Sequence, residues 1–201
     1  GNDLEAGETV VSAGAAPFVA VTYFFSTVGV IIVAMGAVVG EKRTGTAAWI
    51  LSAPVSRPVY LMTKLVVIAV GSLATMIAIP GLIAFLEFSF IPAAANSGDV
   101  AVLPLVGAVG ALSLSALFFL AFTFFLGTLF RSRGPVIGIP FAVMFVGEAL
   151  YPTLPEMVYR LTPWAIIEPF AVQLADQTVS VESILPVFAT MAWTAIFIAA
   201  S

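Results

Sequence analysis

The chain has no cysteine and no histidine. The first absence excludes disulfides and thiolate metal sites. The second removes most zinc sites and most general-base schemes. Charge is scarce as well: 9% of the 201 residues are charged, against about 25% in a soluble domain. With a net charge of −4, the chain offers no broad basic surface for nucleic acid. It contains no Walker GxxxxGK[ST], so it has no phosphate cradle for ATP. Residues 1–16 contain neither an initiator methionine nor a signal peptide.

What is present is apolar sequence in long blocks. Hydrophobic residues make up 61% of the chain, and mean hydropathy is +1.15. Five spans can be read: A from about Pro17 to Val39, B from about Pro58 to Phe90, C from about Val102 to Phe130, D from about Pro135 to Leu154, and E from about Ile184 to Ser201. A crossing needs about 20 apolar residues, which A to D supply and E approaches. The expected fold is therefore an all-α membrane protein, a polytopic transmembrane helix bundle, with residues 1–201 forming one transmembrane domain. Pro80-Gly81 lies inside span B, where proline removes a backbone hydrogen bond and predicts a kink.

The basic residues are unevenly placed. Lys42, Arg43, Arg57 and Lys64 cluster around the A–B loop, and Arg131 and Arg133 sit in the C–D loop. If the spans alternate, only Arg160 falls on the other side. Loops rich in Lys and Arg face the cytoplasm, so residues 41–57 and 131–134 are expected inside and 91–101 and 155–182 outside. The outer segments carry Asp3, Glu5, Glu8, Asp99, Glu156, Glu168, Asp176 and Glu182. Residues 1–16 read as an external loop entering span A, and span E lacks a basic flank. The expectation is a fragment holding five spans of six, without the first span and the C-terminal tail.

The A–B loop is the most informative segment. Thr44 to Ser52 is predicted as a short interfacial helix, with Thr44, Ala47, Ala48 and Leu51 on one face and Trp49 at headgroup level. Pro54 ends it. Ser56 is placed to cap span B, with Pro58 in its first turn. On physical grounds the loop reads equally well as a connector anchored by positive charge.

The run Glu41-Lys42-Arg43-Thr44-Gly45-Thr46, then Leu51-Ser52-Ala53-Pro54-Val55-Ser56-Arg57, then Lys64, resembles the corresponding loop of type-2 ABC-transporter permeases. The external stretch from Leu154-Pro155 through Pro163-Trp164 and Pro169 is similar to the short external helices before the last span in that family. The resemblance implies a transmembrane permease subunit of an ABC exporter in a prokaryotic plasma membrane, forming the translocation path without hydrolysing ATP itself. It implies a separate ATPase subunit, which binds the ATP and magnesium, and a second permease subunit in a homodimer or heterodimer. It places the coupling element on this loop, with Glu41, Gly45, Thr46, Pro54, Ser56 and Arg57 as the coupling residues. No metal site and no catalytic residue is expected in this chain.

Two acids lie inside spans. Glu87 is toward the outer end of B and Glu148 toward the outer end of D. A charge at the centre of a lipid-embedded helix costs about 2.5–3.5 kcal/mol, which makes intramembrane acids functional candidates. Near the interface the cost falls, so a wet, structural setting competes with a substrate or proton site. Gly36/Gly40 and Gly134/Gly138 form GxxxG pairs that permit close helix approach, a pattern common in apolar helices. Three classes of function stand open from the residues: an ATP-driven exporter subunit, a proton-coupled secondary transporter using Glu87 or Glu148, and an intramembrane enzyme. The last would need a carboxylate pair or a Ser-Lys dyad, and Lys64 sits too near the inner interface for that.

Overall fold

The computed structural model describes residues 10–44, 56–90, 102–150, 153–176, 178 and 184–201. Among these residues the chain is helical, with no strand. Its elements are α1 (Val10–Met35), a π turn (Gly36–Gly40), α2 (Glu41–Thr44), α3 (Arg57–Leu73), a second π turn (Ala74–Ala78), α4 (Ile79–Phe90), α5 (Val102–Leu129) and α6 (Arg133–Leu150). There follow α7 (Glu156–Arg160), a 3-10 turn (Pro163–Ile166), α8 (Ile167–Ala175) and α9 (Ile184–Ala200). Spans A to E correspond to α1–α2, α3–α4, α5, α6 and α9.

The protein is an all-α membrane protein. Three continuous helical rods, Gly14–Gly40, Pro58–Phe90 and Val102–Leu129, are long and apolar enough to cross a bilayer. At 1.5 Å per residue, α5 alone extends about 42 Å, more than the ~30 Å hydrocarbon core. The apolar helices α6 and α9 are shorter, at 18 and 17 residues. Helix α5 is the axis of the bundle and packs against α1, α3, α6, α8 and α9. It is buried nearly all round, through Ala108, Leu112, Ala116, Phe119 and Phe124. Helix α3 is peripheral, with Val59, Met62, Val66, Val67 and Val70 exposed on its outer side, as suits a surface solvated by lipid rather than water.

Two expectations change in detail. Span A does not begin at Pro17; the helix starts at Val10 and runs through the proline. Pro17 leaves one carbonyl of the preceding turn without its usual donor, a loss that a long helix tolerates when neighbours hold it. In span B the disturbance lies before Pro80. The Ile79 N–H donates to the Ala74 carbonyl, five residues back, and the rod resumes as α4. Because Pro80 offers no N–H to the preceding turn, the ladder widens into a π turn instead of breaking.

Packing between rods depends on close approach and aromatic contact. A Cβ on Gly127 would lie 2.8 Å from Val38 Cγ1, so glycine sets the α1–α5 distance at that level. Phe197 of α9 meets Phe118, Phe122 and Phe125 of α5 at centroid distances of 5.9, 4.8 and 5.5 Å. Such pairs add about 0.5–1.5 kcal/mol each beyond area burial. Gly36, Gly40, Gly134 and Gly138 all face open space, so neither GxxxG pair serves packing within the chain.

Candidate functional site

The basic residues of three rods converge at one end of the bundle. There α1 ends in its π turn, α2 begins with Glu41, and α3 enters after Ser56. Ser56 has the extended backbone of an N-cap (φ −72°, ψ 143°) and Pro58 lies in the first turn, as expected. The Ser56 side chain makes no cap hydrogen bond; instead its carbonyl accepts from the Tyr60 N–H at 3.1 Å.

Glu41 is the hub of a clamp between the two rods. Its carboxylate pairs with the Lys64 ammonium and accepts a hydrogen bond from the Tyr60 hydroxyl. Lys64 also donates to the Ala37 carbonyl inside the π turn and lies 3.4 Å from the Tyr60 oxygen. The lysine side chain is 15% exposed and the glutamate 32%, so the pair is shielded and less open to salt screening than a surface bridge. Burial raises the Glu41 carboxyl, but the hydrogen bonds from Lys64 and Tyr60, with the Lys64 charge, outweigh it. The net result is a carboxyl held below its ordinary value.

Lys42, the next residue, reaches the other way. Its ammonium donates to the carbonyls of Gly127 and Thr128 at 2.6 and 3.2 Å. These are terminal carbonyls of α5, which lack helical donors of their own, and a cation at a helix C-terminus also meets the negative end of the dipole. Burial, and then the Arg131 charge, lowers the Lys42 ammonium below the ordinary lysine value. Adjacent residues 41 and 42 thus fasten α2 to α3 and to α5.

Between these fastenings lies a cavity of about 1240 Å3, bordered by the first π turn, α2, α3, α5, α9 and the residues just after α5. Lys42, Lys64 and Arg131 line it alongside Leu61, Leu65, Phe124 and Ile198. At the opposite end the described segment after α6 packs between the rods. Helix α8 packs against α1 and α5, burying Gln173 and Leu174, while Ala165 and Ile166 are buried just before it. The Trp164 ring occupies the place of a Gly147 side chain. The Trp193 indole of α9 donates to the Leu161 carbonyl at 3.1 Å, and Arg160 pairs with Glu156 at 2.7 Å.

Of the residues singled out from sequence, Glu41 and Ser56 stand at this basic end, and Arg57 opens α3. Gly45, Thr46 and Pro54, with the interfacial helix predicted for Thr44 to Ser52 beyond Thr44 itself, lie outside the described residues, as do the side chains of Arg57 and Glu148. Glu87 is exposed in the last turn of α4 and belongs to the other end. Tyr60 was not singled out, and Lys42 and Arg131 were read as part of the basic loops that set topology rather than as site residues. The signal for Tyr60 was its position one turn before Lys64, on the same face of α3.

The model of a protein family of unknown function, DUF2705, matches residues 7–154. The chain belongs to this family. The DUF2705 match spans α1 to α6 and so includes Glu41, Lys42, Tyr60, Lys64 and Arg131, while α7 to α9 follow it. No curated protein and no solved structure matches the chain.

Proposed function

We propose that this DUF2705 protein is the transmembrane subunit of an ATP-driven exporter, docking a separate ATPase subunit through the loop 41–57. Two things support this reading. One is the likeness of the loop residues to those of type-2 ABC permeases. The other, which carries it, is the Glu41–Tyr60–Lys64 clamp. A loop that passes on motion must be mounted stiffly at both ends, or its displacement dissipates in slack chain. The clamp joins the last turn of the first rod to the first two turns of the second, so both ends of the loop form one piece. Helix α3 is peripheral, so a push there can tilt α3 while α5 keeps its place.

In this reading the basic end faces the cytoplasm of a prokaryotic cell, in accord with the lysine and arginine bias of its loops. ATP and magnesium belong to the partner subunit, and a second permease subunit, identical or not, completes the translocation path.

The test is co-purification with an ATPase subunit together with substrate-stimulated ATP hydrolysis. Glu41→Lys, Arg57→Glu and Gly45→Leu are expected to insert in the membrane but to dock or couple poorly. Exchanging the pair, Glu41→Lys with Lys64→Glu, should recover part of the coupling lost in Glu41→Lys alone. If the three single variants all dock and couple like wild type, the loop is a connector and the exporter reading falls.

A further inference from the structure

The cavity at the basic end has charged and greasy parts that call for different partners. Its walls are apolar, through Leu61, Leu65, Phe124, Leu129 and Ile198. Its cations are not equally neutralised. Lys64 has Glu41. Among the described residues Lys42 donates to the two neutral carbonyls of Gly127 and Thr128, and neither Lys42 nor Arg131 makes an ion pair. Lys42 and Arg131 therefore line the same hollow with no anion between them among the described residues, and a negative group placed between the two cations would be attracted by both.

We propose that this cavity binds one anionic phospholipid, its phosphate held between Lys42 and Arg131 and its acyl chains laid along Leu61, Leu65 and Phe124. Basic pockets between transmembrane helices near a membrane surface are suited to anionic headgroups. A soluble anion would satisfy the cations but leave the apolar walls unfilled. At about 1240 Å3 the space also exceeds the ~300–1,000 Å3 typical of small-molecule sites. The outer face of α3, with Val59, Met62 and Val66 exposed, puts bilayer lipid directly beside the lining residues of the same helix. The proposal stands apart from the exporter reading, since it requires no ATPase.

The experiment is native mass spectrometry of the purified chain released from nanodiscs of equimolar phosphatidylglycerol and phosphatidylcholine. One phosphatidylglycerol per chain should be retained in preference to phosphatidylcholine. A cation near a membrane surface contributes about 1 kcal/mol toward an anionic lipid, so Arg131→Gln should lower retention about fivefold. Arg131→Lys should restore most of it. Arg133→Gln removes the same charge two residues away, outside the cavity lining, and should leave retention unchanged. Lys42→Gln should also lower retention, but it loosens the α5 end, so the exposed Arg131 is the decisive position. Equal retention of the two lipids, equal loss in Arg131→Gln and Arg133→Gln, or displacement of the lipid by inorganic phosphate alone would overturn the proposal. The last result would mark a site for a soluble anion.

Discussion

At the acidic end of the bundle, residues 153–176 fold back over α1 and α5 and fill the space between the rods with Ala165, Ile166, Phe170 and Leu174. At the basic end the rods part around a hollow, and a few directed contacts from Glu41, Lys42, Tyr60 and Lys64 span the gaps. The two ends keep their shape by different physics. Packing resists any change of volume but has no preferred partner atom. Hydrogen-bonded ion pairs leave space between them and fail when one partner or one charge is lost.

The sharpest way to break this comparison lies on α6, which touches both regimes. Gly147 is overlapped by the Trp164 ring, whereas Gly138 has open space. Overpacking a filled core costs about 1–3 kcal/mol and sometimes more. Gly147→Leu is therefore expected to lower stability by about 3 kcal/mol, read as thermal unfolding in detergent. Gly138→Leu should be neutral or slightly stabilising, because leucine favours helix over glycine. Equal effects at the two positions would mean that the acidic end has slack after all.

A smaller effect is expected from the clamp. Lys64→Met leaves Glu41 shielded and without its cation, and should cost about 2 kcal/mol, within the range for charged hydrogen bonds. Adding Glu41→Gln should return part of that loss, which a double-mutant cycle measures. Additive losses would show that the two side chains do not act as a pair.

The smallest effect is one of pH. The folded Glu41 carboxyl lies below its ordinary value of 4.5. Its contribution is therefore complete above that value and is lost as pH falls through the lower folded one. Wild type and Glu41→Gln should differ in stability at neutral pH and converge in strong acid. A difference that persists unchanged into strong acid would remove ionisation from the account of the clamp.

The long elements were legible because hydropathy and proline marked them: Pro58 opens span B within one residue of α3, and Phe90, Val102 and Leu129 fall at or within one residue of the expected boundaries. The start of span A was misplaced because proline at a first turn and proline within a buried helix look alike in one sequence. The clamp was not legible. Glu41 and Lys64 stand on different rods, and their meeting depends on how those rods turn about their axes, which hydropathy does not encode. The short helices after α6 followed from the resemblance, but not their packing on α1 and α5, because Gln173 and Trp164 do not advertise burial. Arg131 read only as a topological marker, since a cavity is a property of several helices at once.

The π turn at Gly36–Gly40 acts on angle rather than length. A wider turn holds one residue more than an α turn, and each residue is worth about 100° of rotation. Everything after Gly40 is thus dialled round by about that much relative to an unbroken α-helix, while the rod's reach across the bilayer hardly changes. Deleting one residue between 36 and 40 would let the turn close as α and leave Glu41 toward Lys64, whereas the same five residues wound as plain α-helix would swing Glu41 away from Lys64 and Lys42 away from the end of α5. The width of one turn there sets the bearing of two charges, and a length-based reading of the span would register no difference.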